Sequence, residues 1–227
     1  LEEKHVHDAY GNVILNIFAT GNHEIICNSE VLENYIRENY GDKYKYISST
    51  TKRLTNKDKQ TAELEKDYHL VVLDYDHNKD FDYLKSIENK EKCELLCNPI
   101  CMPKCPFRIK HYEDISRAQL EFTGVLRAPC NNVKDDSLQM AMKQKNFISI
   151  EDINEVYAPM GFKNFKLEGR TAHPLTFIEV LLYYLIKEEY ENEYERQILE
   201  RDPKNNDYKI IEIKEKVIEL KQEEVSE

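Results

Sequence analysis

The sequence predicts an α/β protein, a partial TIM-like (β/α) barrel with a C-terminal helical tail. Three observations carry that expectation. Short β-rich runs start about 20 to 26 residues apart with helical patterns between them, the spacing of parallel βαβ units. Nearly every run stops at a polar or reactive residue (Cys27-Asn28, Ser48-Ser49-Thr50, Asp74, Cys97-Asn98, Glu168-Gly169-Arg170), and barrels of this class build their sites at the C-terminal strand ends. No Gly-rich phosphate loop follows any run, which weighs against a dinucleotide-binding doubly wound sheet.

The elements follow in order. His23 to Asn28 reads as a first strand, and Ser29 caps a helix whose apolar stripe is Val31, Leu32, Tyr35 and Ile36. Lys43 to Thr50 is a second strand, with a polar helix from Thr55 to Lys66. Tyr68 to Tyr75 is a near-continuous apolar run, the pattern of a strand buried on both faces, and a helix through Phe81, Leu84 and Ile87 follows it. Lys92 to Asn98 is the fourth strand. After an irregular cysteine-bearing stretch come a helix from Ile109 to Phe122, a loop near Pro129, and a helix from Ile150 to Met160 ended by Gly161. Phe162 to Arg170 is a strand running into a loop, and Thr171 to Arg201 is mostly helix. Beyond Pro203, the residues Ile210, Ile213, Val217 and Leu220 form a short apolar seam among Lys and Glu. The expected domains are therefore 1–202, a partial barrel with a cysteine-rich insertion at 97–130, and 203–227, a charged amphipathic helix suited to docking on the body or recruiting a protein partner.

Composition bounds the function classes. The chain has 227 residues, 41% of them hydrophobic and 33% charged, enough for a real core. Its longest apolar stretch, Phe177 to Ile186, contains Glu179 and is short of the roughly 20 residues that span a bilayer, so no membrane association is expected. The net charge of −11 argues against affinity resting on bulk phosphate neutralisation. Between 187 and 227 there are 14 acids and 8 bases, so more than half of that surplus lies in the tail and the body is only mildly acidic. The opening Leu1-Glu2-Glu3-Lys4-His5 has neither an initiator Met nor the features of a signal peptide. A truncated N-terminus is expected, and a full eight-strand barrel would need upstream sequence.

Six cysteines without an export signal point to reduced thiols and a cytoplasmic setting. Three fall together, Cys97, Cys101 and Cys105, among Pro99, Pro103 and Pro106, which keep the backbone non-helical. An iron–sulfur cluster needs four thiolates on backbone free to wrap it. Cys101 and Cys105 are the first choices, Cys130 the next and Cys97 the last. Structural zinc on Cys101-x3-Cys105-x5-His111 with one further Cys is the rival, although zinc pairs are more often two residues apart. Cys27 and Cys93 read as ordinary buried strand cysteines.

Among the other strand-end residues, Glu168 and Arg170 form the candidate working pair, with Asp74 a further catalytic candidate or a helix cap. A carboxylate at a barrel mouth can act as general base while a guanidinium tunes its pKa or holds an anionic group. Ser49, Thr50 and Lys52 suit an anion or merely end their strand. No Ser-His-Asp or Cys-His order supports a hydrolase triad.

The stretch Phe147 to Ile153 and on through Tyr157-Ala158-Pro159-Met160-Gly161-Phe162-Lys163-Asn164-Phe165-Lys166-Leu167-Glu168-Gly169-Arg170 resembles the peptidase U32 (collagenase-like protease) family, in which a helix precedes a strand ending F-K-I-E-G-R; Leu167 stands where Ile is usual. Cys101-x3-Cys105 followed by Pro106-Phe107-Arg108 is similar to that family's close cysteine pair and trailing Arg. The resemblance spans about residues 23 to 186 and is specific around 147 to 170. It implies a TIM-like barrel and, in several members, a [4Fe-4S] cluster on four cysteines, with roles in hydroxylating RNA or a small molecule such as a quinone. The family's E-x-F-x-x-G-[SA]-x-C signature is absent and the cysteine spacing differs. Peptidase activity and a non-catalytic barrel with a structural metal are the alternatives.

Overall fold

Five short strands form one sheet in the computed structural model, which describes residues 1–124, 138–169 and 174–186. They are β1 (His23–Cys27), β2 (Tyr44–Ser48), β3 (Leu70–Val72), β4 (Cys93–Leu96) and β5 (Asn164–Lys166). Every adjacent pair is parallel, and the order across the sheet is β1-β2-β3-β4-β5. Each strand lies beside its predecessor, so the strand order never reverses and the sheet lacks the switch point at which open doubly wound sheets place ligands.

The helices are α1 (Ala9–Phe18), α2 (Glu30–Tyr40), α3 (Lys57–Leu64), α4 (Phe81–Ser86), α5 (Arg108–Glu121), α6 (Leu138–Met142), α7 (Ile150–Asp152), α8 (Ala158–Met160) and α9 (Pro174–Leu185). Their starts have chemical causes. Ser29 accepts from the Leu32 N–H at 3.4 Å, Asn56 from Lys59 at 3.0 Å and Asp80 from Tyr83 at 3.2 Å, satisfying amides that the first turn leaves open. Ser149 and Asp152 close a reciprocal capping box at the start of α7.

The expected elements that fall on described residues are present with shifted edges; the loop near Pro129 and the expected helix beyond residue 186 lie outside the described residues. The paired core of β3 is three residues rather than the eight from Tyr68 to Tyr75. Its ladder gains a bond at each end, His69 N–H to the Tyr46 carbonyl (2.7 Å) and Leu73 N–H to Glu94 (2.9 Å), before Asp74 turns the chain. The expected helix over 150–160 is helical throughout, but its middle turn, Ile153–Tyr157, is a π segment between α7 and α8. Gly161 ends it at φ 105°, a left-handed conformation that glycine adopts without penalty. The helices α1 and α6 add to the expected set. The chain divides into two compact units, Leu1–Thr176 and Phe177–Glu227. Of the second, residues 177–186 are described; the expected boundary near 202 and the seam over 203–227 lie outside the described residues. Among the described residues no helix is long and apolar enough to cross a membrane.

Val71, Leu73, Leu84, Leu95, Ile148 and Tyr157 are fully enclosed and form the centre of the first unit. One buried polar residue ties its parts together. The Asn78 side-chain amide donates to the Leu96 carbonyl at the end of β4 (2.8 Å) and to the Asn146 carbonyl (2.7 Å), while the Asn78 backbone carbonyl accepts from the Tyr157 hydroxyl. Residues 146–148 are thereby held against β4, where the Ile148 N–H reaches the Cys97 carbonyl at 2.8 Å.

The sheet face towards α2 and α3 carries a buried ionic cluster. Lys52 Nζ lies 2.8 Å from Glu63, 3.4 Å from Glu33 and 2.8 Å from the Tyr68 hydroxyl. Ser48 donates to Glu63 (2.6 Å), Tyr68 to Glu33 (2.8 Å), and Arg37 pairs with Glu33 at 3.0 Å while covering the Tyr46 ring. Burial alone would raise the Glu63 pKa, but bonds from Lys52, Lys66 and Ser48 outweigh it and hold the carboxyl down at about 2. Burial likewise opposes the Lys52 charge, and Glu63 and Tyr68 overcome it, so the ammonium titrates above its ordinary value.

Two outcomes are expected. Glu63 titrates lower folded than unfolded, so its stabilisation is complete above its ordinary 4.5 and is lost as pH falls toward about 2. Urea midpoints measured across that window should drop, and Lys52→Met should flatten the drop while costing about 1–3 kcal/mol, because it removes the cation shared by Glu33 and Glu63 and leaves them only Arg37, Lys66 and the hydroxyls of Tyr68 and Ser48. Asn78→Ala should cost about 2–4 kcal/mol in the same assay, since two buried carbonyls lose their donors.

Candidate functional site

The C-terminal ends of the parallel strands gather the polar residues, and one carboxylate organises two of the loops. Asp76, just beyond β3, accepts from Arg53 Nη2 through Oδ2 at 2.6 Å and from the Lys104 backbone N–H through Oδ1 at 2.8 Å. Arg53 follows β2 and Lys104 lies in the loop after β4. Both have left-handed backbones, at φ 55°, which costs non-glycine residues free energy and persists where surroundings fix it. Arg53 also bonds Asp74 Oδ1 at 3.0 Å, and its side chain is 5% exposed. Burial is the main cause raising the Asp74 pKa, with Arg53 opposing it.

Asp74 is thus a buried anchor. Its carboxylate accepts the Asp76 N–H (2.9 Å), caps the following turn and holds Arg53. The Asp76 side chain is also enclosed, 6% exposed, but unlike Asp74 it lines an open recess. The recess measures about 1010 Å³ and is bordered as well by Arg53, Lys104, Cys105, Arg108 and Asn146.

Glu168, two residues past β5, is fixed by its own backbone. Asn98 at the end of β4 donates its amide to the Glu168 carbonyl and accepts the Glu168 N–H, both at 2.7 Å. Crosswise pairing of this kind sets the loop against β4 and leaves the carboxyl free to work. The residue is exposed as a whole, yet neighbouring protein displaces enough water from its carboxyl to raise its pKa above its ordinary value. The Ile100 N–H, 3.4 Å from Oε2, and the charge of Arg108 pull in the other direction and do not cancel the rise. Solvent access combined with a raised pKa suits a carboxyl to proton transfer. Its expected partner Arg170 lies outside the described residues.

The cysteines separate into two groups. Cys27 and Cys93 are buried strand thiols, raised by burial to about 11 and about 12. Cys97 resembles them: it is fully enclosed, bonds the Leu95 carbonyl at 3.7 Å, and burial raises it to about 12. Cys101 and Cys105 are half-buried on the irregular loop at the strand ends. Cys130 lies outside the described residues. Among the described residues no group of three or more His, Cys, Asp or Glu is placed to hold a metal, so these thiols alone do not fit a four-ligand cluster.

Lys52 and its neighbours serve the fold: Lys52 turns into the Glu33–Glu63 cluster, and Ser49 and Thr51 bond each other at 2.8 Å. Arg53, Asp76, Lys104 and Asn146 are the site residues that sequence reasoning missed. A basic residue just past a strand end was the available signal for Arg53, but only the fold distinguishes it from Lys52.

No family model and no solved structure matches the chain. The chain is similar to a protein named "Uncharacterized protease MJ1657" of Methanocaldococcus jannaschii, with 28% identity over 133 residues, 56% of this chain. It spans 39% of that relative's length. The similarity supports reading the chain as a divergent peptidase-U32-like relative.

Proposed function

We propose that this chain is part of a U32-like (β/α)-barrel enzyme whose working centre lies at the C-terminal strand ends, with Glu168 carrying the proton. The sequential parallel order supports the barrel. Crossovers of one hand between successive neighbours set every helix on the same face, and such a sheet can close on its other face. The single observation behind the catalytic reading is Glu168, reachable by solvent, anchored by Asn98 and titrating above the ordinary range. A carboxyl tuned in this way exchanges protons as acid and as base.

The substrate is RNA or a small molecule, and the reaction a hydroxylation or related modification, as the family resemblance implies. Such chemistry calls for a [4Fe-4S] cluster, with Cys101 and Cys105 as its first ligands and Cys130 as the next. Cys97 would have to leave its packing to join them. The position of Cys101 and Cys105 on the strand-end loop supports this assignment, and zinc on the same thiols is the alternative. A cluster completed by Cys130 would supply electron transfer, while Glu168 would move the substrate's proton. A second reading, peptide hydrolysis, draws support from the archaeal relative's name. A third makes the barrel an adaptor that recruits a partner through residues 203–227, and deletion of that tail alone should then abolish cellular function.

Glu168→Gln should leave stability within about 0.5 kcal/mol and metal content unchanged, while lowering turnover about 10²–10⁴-fold. Full activity in that variant would remove Glu168 from the mechanism. If the carboxylate acts as base, the rate should rise with pH through a midpoint above 4.5; if as acid, it should fall through the same midpoint.

Anaerobic purification with iron, zinc and sulfide analysis tests the cofactor. About four Fe per chain, lost in Cys101→Ala and Cys105→Ala, is the expected result; about one Zn in colourless protein would make the thiols structural. Cleavage of casein or gelatin by metal-replete protein would instead establish the peptidase reading.

A further inference from the structure

The recess beside Asp76 has more positive charge than its own acids use. Of the basic residues lining it, Arg53 pairs with Asp74 and Asp76, Lys57 with Asp80 at 2.6 Å and Lys79 with Asp152 at 2.6 Å. Lys104, Arg108 and Lys145 have no ion-pair partner among the described residues. The one lining acid left over, Asp82, is exposed at the rim. This local surplus sits on a chain whose net charge is −11.

Arg108 is the unusual member. It is 6% exposed, held between the rings of Tyr75 and Tyr112, and its Nε and Nη2 are buried without a hydrogen-bond partner. Those two nitrogens form one edge of the guanidinium, the edge that takes two oxygens of a carboxylate or phosphate side by side. A buried charge without a counter-ion is costly, and so is a buried donor without an acceptor. Asn146, 3% exposed on the same wall, also has both amide atoms unpartnered. Arg108, Asn146 and two exposed lysines line one recess, and because the unpartnered Arg108 and Asn146 atoms are themselves closed to solvent, an anion reaches them as their cover shifts.

We propose that this recess binds an oxyanion, a carboxylate or phosphate group of a small organic ligand, through the Nε/Nη2 edge of Arg108, with Asn146 as a second donor and Lys104 and Lys145 at the mouth. The assignment deepens the enzyme reading by naming the substrate's charged handle, but it rests on the orphaned guanidinium edge and holds whether or not Glu168 is catalytic. Glu168 is an internal competitor among the described residues, since it and Arg108 interact electrostatically.

Thermal shift and calorimetric titration of the full chain with inorganic phosphate and with malonate, at ionic strength matched with chloride, test the proposal. Saturable stabilisation by at least one probe is expected. Arg108→Gln should abolish it, Arg108→Lys should weaken it at least tenfold by losing the two-pronged edge, and Lys145→Gln, at an exposed position, should weaken it several-fold without loss of fold. Phosphate alone saturating would assign a phosphoryl handle, malonate alone a carboxylate, and both a general oxyanion site. Glu168→Gln should leave binding intact or tighten it. No saturable effect of either probe on wild type, or affinity unchanged in both Arg108→Lys and Lys145→Gln, would overturn the proposal. So would a coupling in which Arg108→Gln and Glu168→Gln destabilise equally and non-additively without any anion binding, because Glu168 would then be the partner of the edge. The outcome is separable from the enzyme reading, which Glu168→Gln turnover decides.

Discussion

The interaction on which the strand-end geometry depends is the grip of Asp74 and Asp76 on Arg53. Two carboxylates from one turn take both terminal nitrogens of a nearly enclosed guanidinium, and the second oxygen of Asp76 reaches across to the Lys104 amide. The loops after β2, β3 and β4 thus share one carboxylate pair. Low local dielectric strengthens each of these bonds and makes each costly to break, which is why two residues can be kept in left-handed conformations that the isolated chain would rarely adopt. The recess owes its shape to that rigidity.

Asn78 and Asn98 do for the backbone what Arg53 does for the side chains. Each uses a short amide to satisfy carbonyls at strand ends where the ladder has stopped. Asn98 binds Glu168 by both its N–H and its carbonyl, so the carboxyl has a fixed origin and takes only a long contact from the Ile100 N–H at 3.4 Å. Positioning by backbone suits a group that must change protonation, because the bonds that place it do not depend on its charge.

The alternation of strands and helices was legible because parallel strands buried on both faces leave continuous apolar runs such as Leu70 to Leu73. Their lengths were not. Whether Tyr68 or Asp74 belongs to the strand is decided by where the neighbouring chain ends and by a turn that Asp74 itself caps. The π segment at Ile153–Tyr157 has no local signal, being fixed by Tyr157, whose ring packs at the centre of the unit and whose hydroxyl reaches Asn78. Helix α1 escaped notice because its apolar residues Tyr10, Val13, Ile14 and Ile17 remain exposed, so the burial that justifies an apolar stripe is absent among the described residues.

At the site, residue type was legible but the division of labour was not. Lys52 and Arg53 are adjacent, yet one closes an ionic cluster on the helix side and the other borders the recess; a left-handed backbone at Arg53 sends the two side chains apart. Asp74 and Asp76 are both enclosed, but only Asp76 borders the recess. Cys97 and Cys101 are separated by whether the strand's alternation still applies: Cys97 continues the facing of Cys93 and Leu95, and Cys101 has left the strand. A strand end is therefore the place where a single residue step moves a side chain from packing to chemistry. Arg108 is the extreme case, a charge carried inside by two aromatic rings with its most discriminating edge unbonded. Packing explains the position of its aliphatic stem, while its charge acts on Glu168 without a direct ion pair.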